Sequence, residues 1–165
     1  MFERIVSAIR LDSTLYREVA DHDYYNTEAI LIAVVVAFVG GLGAALGSGN
    51  ALSALVGEMV NALLFGWLLW AVVAYLVGDL FGGRSSLTEM ARTLAYAGTP
   101  RLLLLLGFIP IIGWLFVVAG WGLSIAAGVV AIRESMEFDT FKALITAGVG
   151  LILYILVSFA INAFL

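Results

Sequence analysis

A chain of 165 residues in which 63% are hydrophobic and 12% charged, with a mean hydropathy of +1.10, is too apolar to present a water-facing surface. One integral membrane domain accounts for this length and leaves no room for an ordinary soluble domain. The net charge of −4, with eight dispersed cations, excludes the basic patch that nucleic acid requires, and the absence of Cys excludes disulfides, thiol nucleophiles and thiolate metal sites.

Residues 1–27 read as a cytosolic amphipathic interfacial segment, and residues 28–165 as the transmembrane domain. Phe2, Ile5, Val6 and Ile9 recur at helical spacing, Asp12 and Ser13 start a second helical turn, and Leu15, Tyr16 and Val19 continue the apolar pattern. The segment is expected to lie on the membrane surface or on the spans. It carries both signs of charge from the start, unlike a secretory signal, so no cleavage is expected. Position 2 is Phe and there is no Cys, so acylation motifs are absent.

Between Arg17 and Arg84 there is no Lys or Arg, and the gap holds two long apolar runs, Ala29 to Gly47 and Leu52 to Gly78. A span needs about 20 apolar residues, so these runs predict a membrane hairpin with its tip at Gly47 to Asn50. Ala33, Ala37, Gly41 and Ala45 recur every four residues in the first run, and Gly120, Ser124 and Gly128 form a similar strip later. Small residues at this spacing let helices approach closely, within the monomer or between copies. Glu58, with Asn61 beside it at i, i+3 spacing, is a carboxylate inside the second span. Placing a charge there costs on the order of 3 kcal/mol, which makes the pair a candidate intramembrane polar site, unless it lies near the outer interface or bonds a neighbouring helix.

The cations set the orientation. Arg4, Arg10 and Arg17 precede the first span, Arg84, Arg92 and Arg101 follow the second, and Arg133 and Lys142 flank a later polar link. If cations mark the cytosol, the N-terminus is inside and the stretch from Arg84 to Arg133 crosses an even number of times. Leu102 to Ile132 has only 31 uncharged residues, too few for two regular spans. Ser86 to Glu89 is a capping box opening an amphipathic helix that stops at Gly98, Thr99 can cap a new helix with Pro100 in its first turn, and Pro110 and Gly113 interrupt again. The fold predicted is an all-α polytopic transmembrane helical bundle of five spans, N-in and C-out, with an irregular or broken third span from about Leu94 to Gly113. A single kinked crossing there would give four spans and put Arg133 and Lys142 outside.

The helix break is a candidate headgroup or anion site formed by Tyr96, Gly98, Thr99, Pro100 and Arg101, although an Arg at a span end also serves as an interface anchor. No metal is expected: Asp21, His22 and Asp23 make a weak candidate, and their spacing fits a solvated juxtamembrane cluster. Trp67, Trp70 and Trp114 read as packing or interface residues. No catalytic triad, zinc-protease motif, P-loop or dinucleotide fingerprint is present, so neither an enzyme nor a cofactor is expected.

The run from Asp79 to Pro100, with Tyr96 four residues before Pro100, is followed by Ile109-Pro110, by Ala131-Ile-Arg-Glu134 and by Thr140-Phe-Lys-Ala143. In this order the elements resemble the prokaryotic branch of the Yip1 family, over roughly Asp12 to the C-terminus. The resemblance implies a five-span protein with a cytosolic N-terminus in the prokaryotic cytoplasmic membrane. Eukaryotic relatives bind Rab-type GTPases in vesicle traffic; with about 27 residues before the first span and a prokaryotic style, a Rab-type partner is not expected here. The function expected is a non-enzymatic membrane scaffold or adaptor that assembles with other membrane proteins or with itself, in membrane organisation, trafficking or export. The alternative is a small oligomeric transporter or channel that uses Glu58 and the broken third span.

Overall fold

The computed structural model describes residues 1–46 and 48–164; Gly47 at the hairpin tip and Leu165 lie outside the described residues. The described chain is helical throughout, with no strand. Two short helices come first, α1 (Phe2–Ile9) and α2 (Ser13–Asp21). The turn between them passes through Leu11 at a φ of 61°, and the Asp12 carboxylate caps α2 by accepting the Thr14 N–H at 3.0 Å. A 3-10 turn (Asp23–Tyr25) then leads into α3 (Asn26–Leu46).

After the tip, Asn50 Oδ1 accepts the Ser53 N–H at 3.3 Å and opens a continuous helical rod, Ala51–Leu80. This rod is α-helical at both ends, α4 (Ala51–Asn61) and α5 (Trp70–Leu80), and widens into a π-helix over Ala62–Leu69. The capping box forms in full: Ser86 accepts the Glu89 N–H and Glu89 accepts the Ser86 N–H, each at 3.2 Å. It starts α6 (Leu87–Ala97), which ends at Gly98. A 3-10 helix (Thr99–Leu106) follows, then a turn, α7 (Gly113–Met136) and α8 (Thr140–Phe164). Glu137 closes α7 in the left-handed conformation, φ 56° and ψ 40°.

Four helices among the described residues are long and apolar enough to cross a membrane: Asp23–Leu46, Ala51–Leu80, Gly113–Met136 and Thr140–Val157. The expected third crossing makes no helix of that kind. The chain from Ser85 to Gly113, which includes the residues of that crossing, nonetheless runs antiparallel beside α7. Ser85 Oγ lies 2.6 Å from Ser135 Oγ at one end; the Pro100 carbonyl and Leu104 abut Gly120 in the middle; Gly107 packs on Val117 and Gly113 at the other end. At 1.5 Å per residue, α7 is about 36 Å long, enough by itself to cross a bilayer core. Thr99 does not cap the new helix. Its hydroxyl donates back to the Tyr96 carbonyl at 2.8 Å, and Gly98 occupies the cap position.

The core lies where α2, α6 and α7 meet, with Tyr16, Val19, Met90, Ile132 and Met136 buried among them. Thus α1 and α2 dock on the helices as a folded cap, while many apolar side chains of α3, the Ala51–Leu80 rod, α7 and α8 face outward, as lipid contact requires.

Candidate functional site

Arg92 is the largest fully buried side chain. It projects from α6 beneath the end of α2, where the last carbonyls of a helix lack partners in their own helix. Its Nε donates to the Val19 carbonyl and Nη2 to the Ala20 carbonyl, both at 2.6 Å, while Nη1 donates to Asp23 Oδ1 at 2.9 Å and to Asn26 Oδ1 at 2.7 Å. One guanidinium therefore ends α2, fixes the following turn and orients the start of α3. A polar crevice of about 430 Å³ opens beside it. Arg17 and Asp21 of α2, Asp23, Arg84, Glu89 and Glu137 line it, so carboxylates outnumber the exposed cations on its wall.

The second tie holds α1. Arg4 makes a two-pronged ion pair with Glu28 in the first turn of α3, with Nε to Oε1 at 3.0 Å, and its guanidinium lies 5.3 Å from the centre of the Tyr25 ring. The adjacent carboxylate holds the Arg4 charge more firmly, raising its pKa, though burial acts against this. Tyr25 meets Tyr96 edge-on at 6.2 Å, and the buried Tyr96 hydroxyl has no hydrogen-bond partner among the described residues. Within the cap, burial pushes the Tyr16 hydroxyl pKa up, so the group stays protonated and donates to the Ala8 carbonyl at 3.2 Å.

A third feature sits deeper. A cavity of about 60 Å³ lies between α3, the π-helix, α6, the 3-10 helix and α7, where the second span widens and the third breaks. Ala33, Ala37, Gly66 and Gly98 give it small-residue walls, Trp67 and Trp70 line one side, and Arg101 and Ser124 supply polar groups. Trp67 is fixed by its indole N–H, which donates to the Ala91 carbonyl at 2.8 Å. Trp70 is held edge-on against Tyr154 of α8 at 5.9 Å.

The family model for the Yip1 domain matches residues 13–161. The chain belongs to the Yip1 family. No curated protein and no solved structure matches it. The matched region takes in α2 and every candidate span; α1, held by Arg4, precedes it.

Within this Yip1 domain, the sequence-predicted break residues divide between two places. Gly98 and Arg101 reach the cavity, whereas Tyr96 faces Tyr25 and the Pro100 carbonyl packs on Gly120. Glu58 is half-buried and Asn61 exposed on α4; neither side chain makes a hydrogen bond among the described residues, and neither lines the cavity. In the first small-residue strip, Gly41 packs on Leu55 and Met59 of α4, Ala33 and Ala37 line the cavity, and Ala45 is half-buried. In the second strip, Gly120 packs on the 3-10 helix, while Ser124 and Gly128 line the cavity.

The weak metal candidate is not assembled: no group of three His or carboxylate side chains that could hold a metal occurs among the described residues. Asp23 receives Arg92, and the His22 Nδ1 lies 2.9 Å from the Glu18 carbonyl. The Arg92 joint has no signature in the sequence, where its position marks only a cation near a capping box. Its spacing from α2, about 70 residues, leaves no local signal.

Proposed function

We propose that this Yip1-family chain is a non-enzymatic membrane scaffold or adaptor of the prokaryotic cytoplasmic membrane, with five crossings, a cytosolic N-terminus and the broken segment as its third span. It binds other membrane proteins, or a second copy of itself, through its cytosolic face. The observation that carries this reading is the Arg92 joint, whose four hydrogen bonds hold a charged cap against the spans. A surface fixed before binding loses little freedom when a partner docks, so more of the contact energy appears as affinity. The crevice beside Arg92 carries four carboxylates, Asp21, Asp23, Glu89 and Glu137, against the arginines Arg17, Arg84 and Arg92, and this slight acidic excess suits a partner segment that presents a basic residue.

The test is affinity purification of the tagged chain from its native membrane in mild detergent, with mass spectrometry and a native mass. A stoichiometric partner that is released by the double change Asp21→Lys and Glu137→Lys supports the adaptor. A homo-oligomer without another partner, unaffected by those changes, removes the hetero-partner form. The π-helix beginning one turn after Glu58 favours a second reading, a small transporter or channel. Solute- or pH-dependent flux in proteoliposomes, lost in Glu58→Gln, would establish that reading instead.

A further inference from the structure

We propose that Arg101 and Ser124 form an intramembrane binding site for an oxyanion, a phosphate or carboxylate group. The depth of the site comes from α7. Ser124 stands 11 residues from Gly113 and 12 from Met136, at the midpoint of a helix long enough to cross the membrane. Arg101 reaches this level from the 3-10 helix, and its guanidinium carbon lies 4.7 Å from the centre of the Trp121 ring. A guanidinium at this depth is costly to hold without a counter-charge, and arginines placed there ordinarily pair or serve a ligand.

Arg101 has no ion pair among the described residues, and its buried Nε has no hydrogen-bond acceptor. Ser124 is 7% exposed, and its hydroxyl likewise lacks a partner among the described residues. Both line the same cavity, whose remaining walls are apolar or aromatic. Two unsatisfied polar side chains on one cavity are a large departure from the usual pairing of buried polar groups. Both can donate to one ligand: the guanidinium supplies charge and N–H donors, and the hydroxyl adds an O–H. An oxyanion satisfies both and neutralises the charge. The volume, about 60 Å³, is several times what one water needs and accommodates a small oxyanion head. The shared chemistry is the oxyanion; it arrives either on an apolar chain, as in an acidic lipid, or as a free ion.

The site contains its own reporter, since Trp67 and Trp70 line the cavity and Trp121 stacks on Arg101. The full chain is placed in phosphatidylcholine nanodiscs, and tryptophan emission is followed with dibrominated phosphatidic acid, with dibrominated phosphatidylcholine at equal mole fraction, and with inorganic phosphate. Saturable quenching by the brominated acid beyond that by the neutral lipid assigns an acidic lipid. A saturable emission change with phosphate alone assigns the free ion. Either response should vanish in Arg101→Gln and weaken about tenfold in Ser124→Ala, the effect of losing one hydrogen bond to a charged partner. Helicity and elution volume establish that each variant is folded, and Ser124→Ala decides if Arg101→Gln is not. Equal quenching by both lipids with no phosphate response overturns the site. So does a response that survives unchanged in the folded variants.

Discussion

Arg92 donates to Asp23 at 2.9 Å across a boundary: the Arg92 side chain is 1% exposed and that of Asp23 is 89% exposed. The two ends of this ion pair therefore have unequal weight. Removing Arg92 leaves the Val19 and Ala20 carbonyls without donors inside the protein, each at a cost of about 1–3 kcal/mol. Asp23→Asn removes a charge at the solvated end of the pair and keeps an acceptor oxygen for Arg92, so its loss is the smaller one, below about 1 kcal/mol. Arg92→Ala is expected to lower the melting temperature of the detergent-solubilised chain sharply and to expose α2 to protease. Asp23→Asn should leave both nearly unchanged. Equal losses in the two variants would contradict this assignment.

What the sequence reveals and what it hides divides along physical lines here. The apolar runs are legible because lipid imposes length and composition on each span. The capping box is legible because its two hydrogen bonds join residues three apart. Arg92 is hidden because its partners lie on α2 and the turn after it, and no periodicity records that pairing. The role of Thr99 is also hidden: both a forward cap and a bond back to Tyr96 satisfy its hydroxyl, and only the path of the chain at Gly98 selects the second.

The small-residue strips contain positions with different demands. A Cβ on Gly41 would stand 2.8 Å from the Leu55 carbonyl oxygen, a backbone atom that moves only with α4. A Cβ on Gly128 would meet nothing within 4 Å. Gly41→Ala should therefore destabilise the first hairpin by about 1–3 kcal/mol, as overpacking does. Gly128→Ala should be neutral or stabilising by up to about 1 kcal/mol through reduced backbone freedom. Thermal unfolding of the two variants side by side checks the contrast, and a matching loss at Gly128 would show that another surface covers it.

Acid should loosen the start of α2. Asp12 accepts from the Thr14 hydroxyl and from the Thr14 N–H, and these bonds hold its carboxyl below the usual value of 3.8. Because the folded pKa is depressed, the stabilisation is fully present above the unfolded value and is lost as pH falls through the folded one. Amide exchange at Thr14, Leu15 and Tyr16, corrected for intrinsic rates, should accelerate below about pH 4 and down through that window. Asp12→Asn keeps a side-chain acceptor and should abolish the acid dependence. Persistence of the same dependence in Asp12→Asn would assign it to another group.

The broken segment gives the sharpest test of topology, because the absence of native Cys makes single-cysteine labelling unambiguous. If the broken segment from about Leu94 to Gly113 crosses beside α7, Phe108, which is 77% exposed, emerges on the same side as the hairpin tip, and Glu137 returns to the side of α1. Gly49→Cys and Phe108→Cys should then react with an impermeant maleimide added outside intact cells. Glu137→Cys should react only after the membrane is opened. A single kinked crossing would reverse the result at Glu137 and bury Phe108 from reagent on either side. The position of Glu137 is decisive because it follows α7 directly, and its labelling depends only on whether the stretch from Arg84 to Arg133 crosses once or twice.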